Sequence, residues 1–206
     1  MAIITLNNNS LSSVTSLPTS LKGMDRLATT AVSSAVASVT FDVNHNDDST
    51  FNNYSHYVIY AANVLCSSSS ADTIRIRIGV SNSSDIKTDT GYFRNSWSYK
   101  PNATTTLVSS SDLSSTFIAA TRSADCDNTS RPQFGEIHFY KKGNNASTMK
   151  PSMYGQFFAE NTGGYFNTWK FQGSYETAVD TNYVQISYND GNITKGDFTL
   201  MGVRNS

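Results

Sequence analysis

The stretch Thr73-Ile74-Arg75-Ile76-Arg77-Ile78-Gly79-Val80 decides the fold class. Ile74, Ile76, Ile78 and Val80 fall on one side of an extended chain, with Arg75 and Arg77 on the other. An apolar row opposite a charged row, with period two, marks a strand that has one face buried. Upstream, Tyr57-Val58-Ile59-Tyr60-Ala61-Ala62-Asn63-Val64-Leu65 is apolar almost throughout and suits a central strand covered on both faces. The intervening Ser67-Ser68-Ser69-Ser70-Ala71-Asp72 has turn composition, so the two strands are expected to form a hairpin.

The same period recurs along the chain. In Gly135-Glu136-Ile137-His138-Phe139-Tyr140, Ile137 and Phe139 point inward, and Lys141-Lys142-Gly143-Asn144-Asn145 supplies a terminating turn. Residues 154–158 and 164–172 are aromatic-rich strand candidates. Val184, Ile186 and Tyr188 alternate with Gln185 and Ser187. Asn189-Asp190-Gly191-Asn192 tolerates positive φ, and Phe198, Leu200 and Val203 continue as the return strand of a terminal hairpin. Weaker strands are expected in residues 36–43, 92–99, 104–108 and 116–121. Alanines in residues 24–39 allow one short helix. Many short strands and poor helix signals predict an all-β fold, an antiparallel two-sheet β-sandwich of jelly-roll-like type, with a closed barrel as the alternative. The sandwich is assigned residues 23–206 and residues 1–22 an extended N-terminal arm. The arm is too polar to pack a core alone; its spaced aliphatics Leu6, Leu11, Val14 and Leu17 suit a segment lying along a neighbouring subunit, the alternative being a frayed terminus.

Composition narrows the function classes. The chain has 206 residues and a net charge of −1, too little for an electrostatic nucleic-acid binder. Charged residues make up 15%, against ~25% in ordinary soluble domains; serine, threonine and asparagine fill the gap. No apolar run approaches ~18 residues, so no membrane insertion is expected, and the first residues lack the pattern of a signal peptide. Cys66 and Cys126 form no CxxC motif; they read as two unpaired small residues or as one disulfide.

Candidate chemistry is sparse. His45, His56 and His138 each stand alone in sequence, and no nucleophile elbow, HExxH or phosphate-cradling loop is present. No enzyme activity, catalytic residue, metal or cofactor is therefore expected. The loops His45-Asn46-Asp47-Asp48 and Asp125-Cys126-Asp127-Asn128 offer oxygen ligands, but neither has EF-hand spacing, and both read as solvated turns. Arg75 and Arg77 read as a polar strand face. Trp97, Tyr99, Tyr165 and Trp169 are the surface-contact candidates, able to stack on a sugar ring or a partner protein, with core packing as the competing explanation.

The opening Ile3-Ile4-Thr5-Leu6-Asn7-Asn8-Asn9-Ser10-Leu11-Ser12-Ser13-Val14-Thr15-Ser16-Leu17-Pro18 resembles the N-terminal segment of virion and tail-fibre-type proteins of tailed phages, especially cyanophages. Phe51-Asn52-Asn53-Tyr54-Ser55-His56-Tyr57-Val58-Ile59-Tyr60 and the ending Gly196-Asp197-Phe198-Thr199-Leu200-Met201-Gly202-Val203 resemble the sandwich domain of such proteins. The resemblance implies a non-enzymatic virion structural protein made in the host cytoplasm, of tail or tail-fibre type. It would be homo-oligomeric, with a trimer favoured, and would contact other virion proteins and a host-surface glycan. Capsid decoration is the alternative, because no heptad or shaft repeat is visible. A free-standing carbohydrate-binding module and a depolymerase stand behind both.

Overall fold

The computed structural model describes residues 23–204 other than 44–53, 69–71, 82, 101–105, 122–130, 141–149, 161–165 and 180. The predicted arm with Leu6, Leu11, Val14 and Leu17, the two acidic loops, Cys126, the turn at 141–145 and Tyr165 lie outside the described residues.

Among the described residues the chain forms β1 (Met24–Val32), β2 (Ser38–Asp42), β3 (Tyr54–Cys66), β4 (Ile74–Gly79), β5 (Tyr92–Lys100) and β6 (Thr106–Ser115). β7 (Ile118–Ala119), β8 (Gln133–Tyr140), β9 (Ser152–Glu160), β10 (Phe166–Tyr175), β11 (Tyr183–Tyr188) and β12 (Ile193–Arg204) follow. One sheet has eight strands in the order β1-β12-β3-β8-β9-β10-β5-β6, and the other has four in the order β2-β11-β4-β7. Every pairing is antiparallel. β1 and β6 are the edges of the large sheet, which is therefore open. The architecture is an all-β sandwich rather than the alternative barrel. Among the described residues no helix is long and apolar enough to cross a membrane.

The alternation read from the sequence sets the core. Ile74, Ile76 and Ile78 face inward with Val184 and Ile186 of the neighbouring strand, and all are 0–1% exposed. Across from them the large sheet contributes Tyr57, Ile59, Ile137, Phe139, Phe157, Trp169 and Phe171 to one continuous cluster. Each such side chain stabilises the fold by ~1.5–3 kcal/mol through removal from water.

Three local expectations are corrected. Residues 24–39 contain no helix: Met24–Val32 is an edge strand paired with β12, and β2 follows in the other sheet. Pairing with β12 overrides the weak helix preference of its alanines. Neither expected hairpin forms. β3 belongs to the large sheet and β4 to the small one, and β11 and β12 are divided in the same way. Both polar connections are corners that carry the chain between sheets.

The two corners clasp each other. Ser67 N–H donates to the Asn192 carbonyl at 2.9 Å, and Asn192 N–H donates to Ser67 Oγ at 2.9 Å. The buried Asp72 carboxylate accepts from the backbone N–H groups of Thr73, Asn189 and Asp190 at 2.7, 2.9 and 3.1 Å. Cys66, a free thiol, also donates to Asp72, and burial first of all pushes its pKa up to about 11. Gly191 is needed for close approach, since a Cβ there would lie 2.7 Å from Cys66 Sγ. Asp72→Ala leaves the buried Thr73 N–H without a partner and frees the corner N–H of Asp190, while Asn189 N–H keeps the Thr73 carbonyl; it is expected to cost about 2 kcal/mol. Urea unfolding measures this, and an unchanged midpoint would show that the corners hold without the carboxylate.

Candidate functional site

The inner face of the large sheet meets the small sheet, whereas its outer face meets solvent. Period two places side chains of one parity there, and the register lines them up in rows. One row runs His56, Tyr140, Ser152, Ser174 and Phe93 across β3, β8, β9, β10 and β5. The next runs Val58, His138, Tyr154, Gln172, Asn95 and Ser111. A third runs Tyr60, Glu136, Gln156, Lys170, Trp97 and Ser109. Further along, Phe134 pairs with Phe158, and Thr168 links Phe158 to Tyr99.

Aromatic rings dominate this face. Tyr60, Tyr99, Phe134, Tyr140, Tyr154 and Phe166 are each 41–59% exposed. Such a density of exposed rings on one face makes it the candidate contact surface. Phe134 stacks on Phe158 at 5.4 Å, and Tyr140 on Tyr154 at 6.2 Å. Their hydrogen bond with each other, and then burial, raises the Tyr154 phenol above its ordinary range. Beside this pair lies a groove of about 550 Å³, with Tyr140 and Tyr154 on one side and Phe93 and Leu113 on the other. Ser152, Ser174, Gln172 and Asn95 also line it.

A polar chain continues from the tyrosines. His56 Nε2 lies 3.0 Å from His138 Nδ1, so two histidines separated by 82 residues meet. Their isolation in sequence is thus corrected by the register His56↔Tyr140 and Val58↔His138. Each also stacks on a tyrosine, His56 on Tyr140 at 4.5 Å and His138 on Tyr154 at 4.7 Å. Glu136 lies 3.6 Å from His138 Nε2 and accepts from Gln156 at 3.0 Å. One proton between the facing nitrogens serves the hydrogen bond; a second would set two N–H groups against each other. Burial first, and His138 second, lower the pKa of His56 from 6.5. The folded state therefore binds fewer protons than the unfolded state as pH falls below 6.5. This contribution to stability is complete above that pH and is lost as pH falls through the lowered value. The melting temperature is expected to be flat above pH 7 and to decline in mildly acidic buffer, with a smaller decline in His56→Phe; identical profiles would remove His56 as the cause.

The sequence candidates divide. Tyr99 is on the outer face and 48% exposed. Trp97 is on the same face, half-buried, opposite Lys170. Trp169 is not a contact residue: it is 1% exposed and sits in the core opposite Ser98. Its strand turns Asn167, Trp169 and Phe171 inward and Phe166 and Lys170 outward, and nothing in the local composition distinguishes these rows. Tyr140, Tyr154, Phe134 and the histidine pair were missed because their partners come from distant strands. Arg75 and Arg77 do lie on the side of β4 away from the core, but half-buried, with both guanidinium groups against Phe117. Among the described residues no three of His, Cys, Asp and Glu are grouped to hold a metal ion.

No family model and no curated protein matches the chain. Among solved structures, the carbohydrate-binding module CBM40 of the Ruminococcus gnavus IT-sialidase is similar at 10% identity and a TM-score of 0.29, covering 87% of this chain and 92% of that one. A structural-genomics protein of unknown function from Bacteroides ovatus is similar at 11% identity and a TM-score of 0.25, over 48% of this chain and 45% of that one. The chain thus spans under half the length of that protein. The leech intramolecular trans-sialidase is similar at 9% identity and a TM-score of 0.25, with 85% of this chain matching 26% of that one.

Proposed function

We propose that the chain is a non-enzymatic structural protein of a tailed-phage virion, of tail or tail-fibre type, that makes its contacts through the outer face of the large sheet. The observation that carries the contact reading is the set of rings from Tyr60 to Phe166 standing 41–59% exposed on one face. Aromatic side chains left in water at that density lose hydrophobic free energy that a partner surface restores. The groove beside Tyr140 and Tyr154 is lined by aromatic, aliphatic, hydroxyl and amide side chains and by Arg94. Those groups suit recognition of a surface better than bond making, which needs converging acids, bases or nucleophiles. The virion placement rests on the likeness of residues 3–18 and of the terminal strand to tail-fibre-type proteins, and the trimer rests on the same likeness.

Labelled antibody on purified virions tests the placement. Labelling of the tail is expected; labelling of the head alone would replace this reading with capsid decoration, and none would overturn both. Tyr154→Ala tests the contact face. It should leave the circular dichroism spectrum unchanged and reduce host adsorption tenfold or more, and undiminished adsorption would move the contact elsewhere.

A further inference from the structure

We infer that the corner around Phe117 is a binding site for the oxyanion of a small ligand, a carboxylate, sulfate or phosphate, held by Arg94 in the cavity and favoured by the charges of Arg75 and Arg77 on the same ring. The site shares Arg94 with the groove beside Tyr140 and Tyr154 and does not depend on the virion reading. The guanidinium carbons of Arg94, Arg75 and Arg77 lie 4.9, 5.3 and 5.8 Å from the centroid of the Phe117 ring. Three cations around one ring repel one another unless anions lie between them. Burial first, and Arg77 second, already lower the pKa of Arg75.

The carboxylates nearby are largely committed. Asp112 pairs with Arg94 through one oxygen at 3.3 Å and accepts Ser114 N–H with the other at 3.0 Å. Asp72 and Asp190 act on Arg75, but the oxygens of Asp72 are taken up by backbone N–H groups. The arginines nevertheless keep free donors. Arg75 gives Nε to the Tyr188 carbonyl and a terminal nitrogen to the Asn189 carbonyl. Arg77 gives only Nε, to the Thr116 carbonyl at 3.0 Å. Arg94 Nε is buried without a partner. A buried guanidinium N–H left unpaired is costly, and an oxyanion can accept from two N–H groups of one guanidinium at once.

There is room for one. A polar cavity of about 320 Å³ is lined by Phe117, Arg94, Ser96, Ser110, Thr121 and Asn189. Thr121 Oγ1 already accepts Ile74 N–H, so its own O–H is left to donate. The ligand is thus small, hydroxyl-bearing or bare, and negatively charged. Among the described residues no carboxylate lines the cavity to oppose it.

The test is calorimetric titration of the full chain with inorganic phosphate, sulfate, D-glucuronate and D-glucose at one fixed ionic strength. Saturable binding of at least one oxyanion, and none of glucose, is expected. Glucuronate binding at least tenfold tighter than phosphate and sulfate would support an acidic sugar as the ligand; equal or tighter binding of the inorganic ions would support a free anion. Arg94→Gln should weaken binding tenfold or more, and Arg77→Gln, which removes a neighbouring charge outside the cavity lining, should weaken it less. Ser96→Leu, which narrows the cavity and keeps every guanidinium, should weaken it tenfold or more and remains informative if an arginine variant fails to fold. Absence of saturable oxyanion binding would overturn the proposal. So would variants that melt earlier yet bind as the parent does, since the arginines would then only brace Phe117.

Discussion

Trp169→Ala is expected to lower stability by about 3–5 kcal/mol, whereas Trp169→Phe should cost only about 1 kcal/mol. The ring is 1% exposed and lies between Phe157 on β9 and Ser98 on β5. Its removal deletes one of the largest buried side chains in the core, and the two flanking strands are held in register by their ladders, so the cavity cannot close. Phenylalanine keeps most of the packing. It also removes indole Nε1, a buried donor without a hydrogen-bond partner, and that offsets part of the lost volume. In a chain of this size the alanine variant should melt on the order of 10 °C earlier. Thermal and urea unfolding give the comparison. If both substitutions were equally mild, the indole would not be a core element and its assignment to the surface would return.

Gly155→Ala should be at least as damaging as an overpacked core, about 3 kcal/mol, and is expected to yield mostly insoluble protein. Gly155 lies on β9 opposite Ile137 of β8 and Phe171 of β10. A Cβ built there would lie 2.1 Å from the Glu136 carbonyl oxygen and 2.8 Å from the Phe171 ring. The ring could swing away, but the carbonyl belongs to the β8–β9 ladder, so relief requires the strands to part. Gly135 repeats the arrangement, with the Gln156 carbonyl at 2.3 Å and the Phe157 ring over it. Each glycine makes room for an aromatic ring on the next strand, and two such pairs fill the middle of the large sheet. Soluble Gly155→Ala melting within a few degrees of the parent would show that the strands can separate cheaply.

Legibility varied with the kind of question. Ile74–Gly79 and Tyr183–Tyr188 were readable as strands, with the correct residues inward, because one buried face imposes a sign on every second position. Residues 166–175 were not readable to that depth. Exposed Phe166 and buried Asn167 invert the usual sign, and a one-residue slip in reading sends Trp169 to the wrong side. The helix expected in residues 24–39 failed because an edge strand needs little apolar content of its own when β12 supplies the pairing. The candidate site was legible only at Tyr99 and, half-buried, at Trp97. His56 with His138, Tyr140 with Tyr154, and the arginines around Phe117 are products of strand order.

By itself the sequence determined that this chain is a stack of antiparallel sheets and which residues of its best strands are hidden from water, because alternation along a strand is a local property with period two. Only the tertiary structure decided which strand lies beside which. It divided β3 from β4 and β11 from β12, joined the two corners through Asp72, and gathered rings and charges from distant segments onto single surfaces. The physical reason is that a strand's free N–H and C=O groups accept any strand of suitable register, so partner choice is settled by how the whole set of apolar faces packs together.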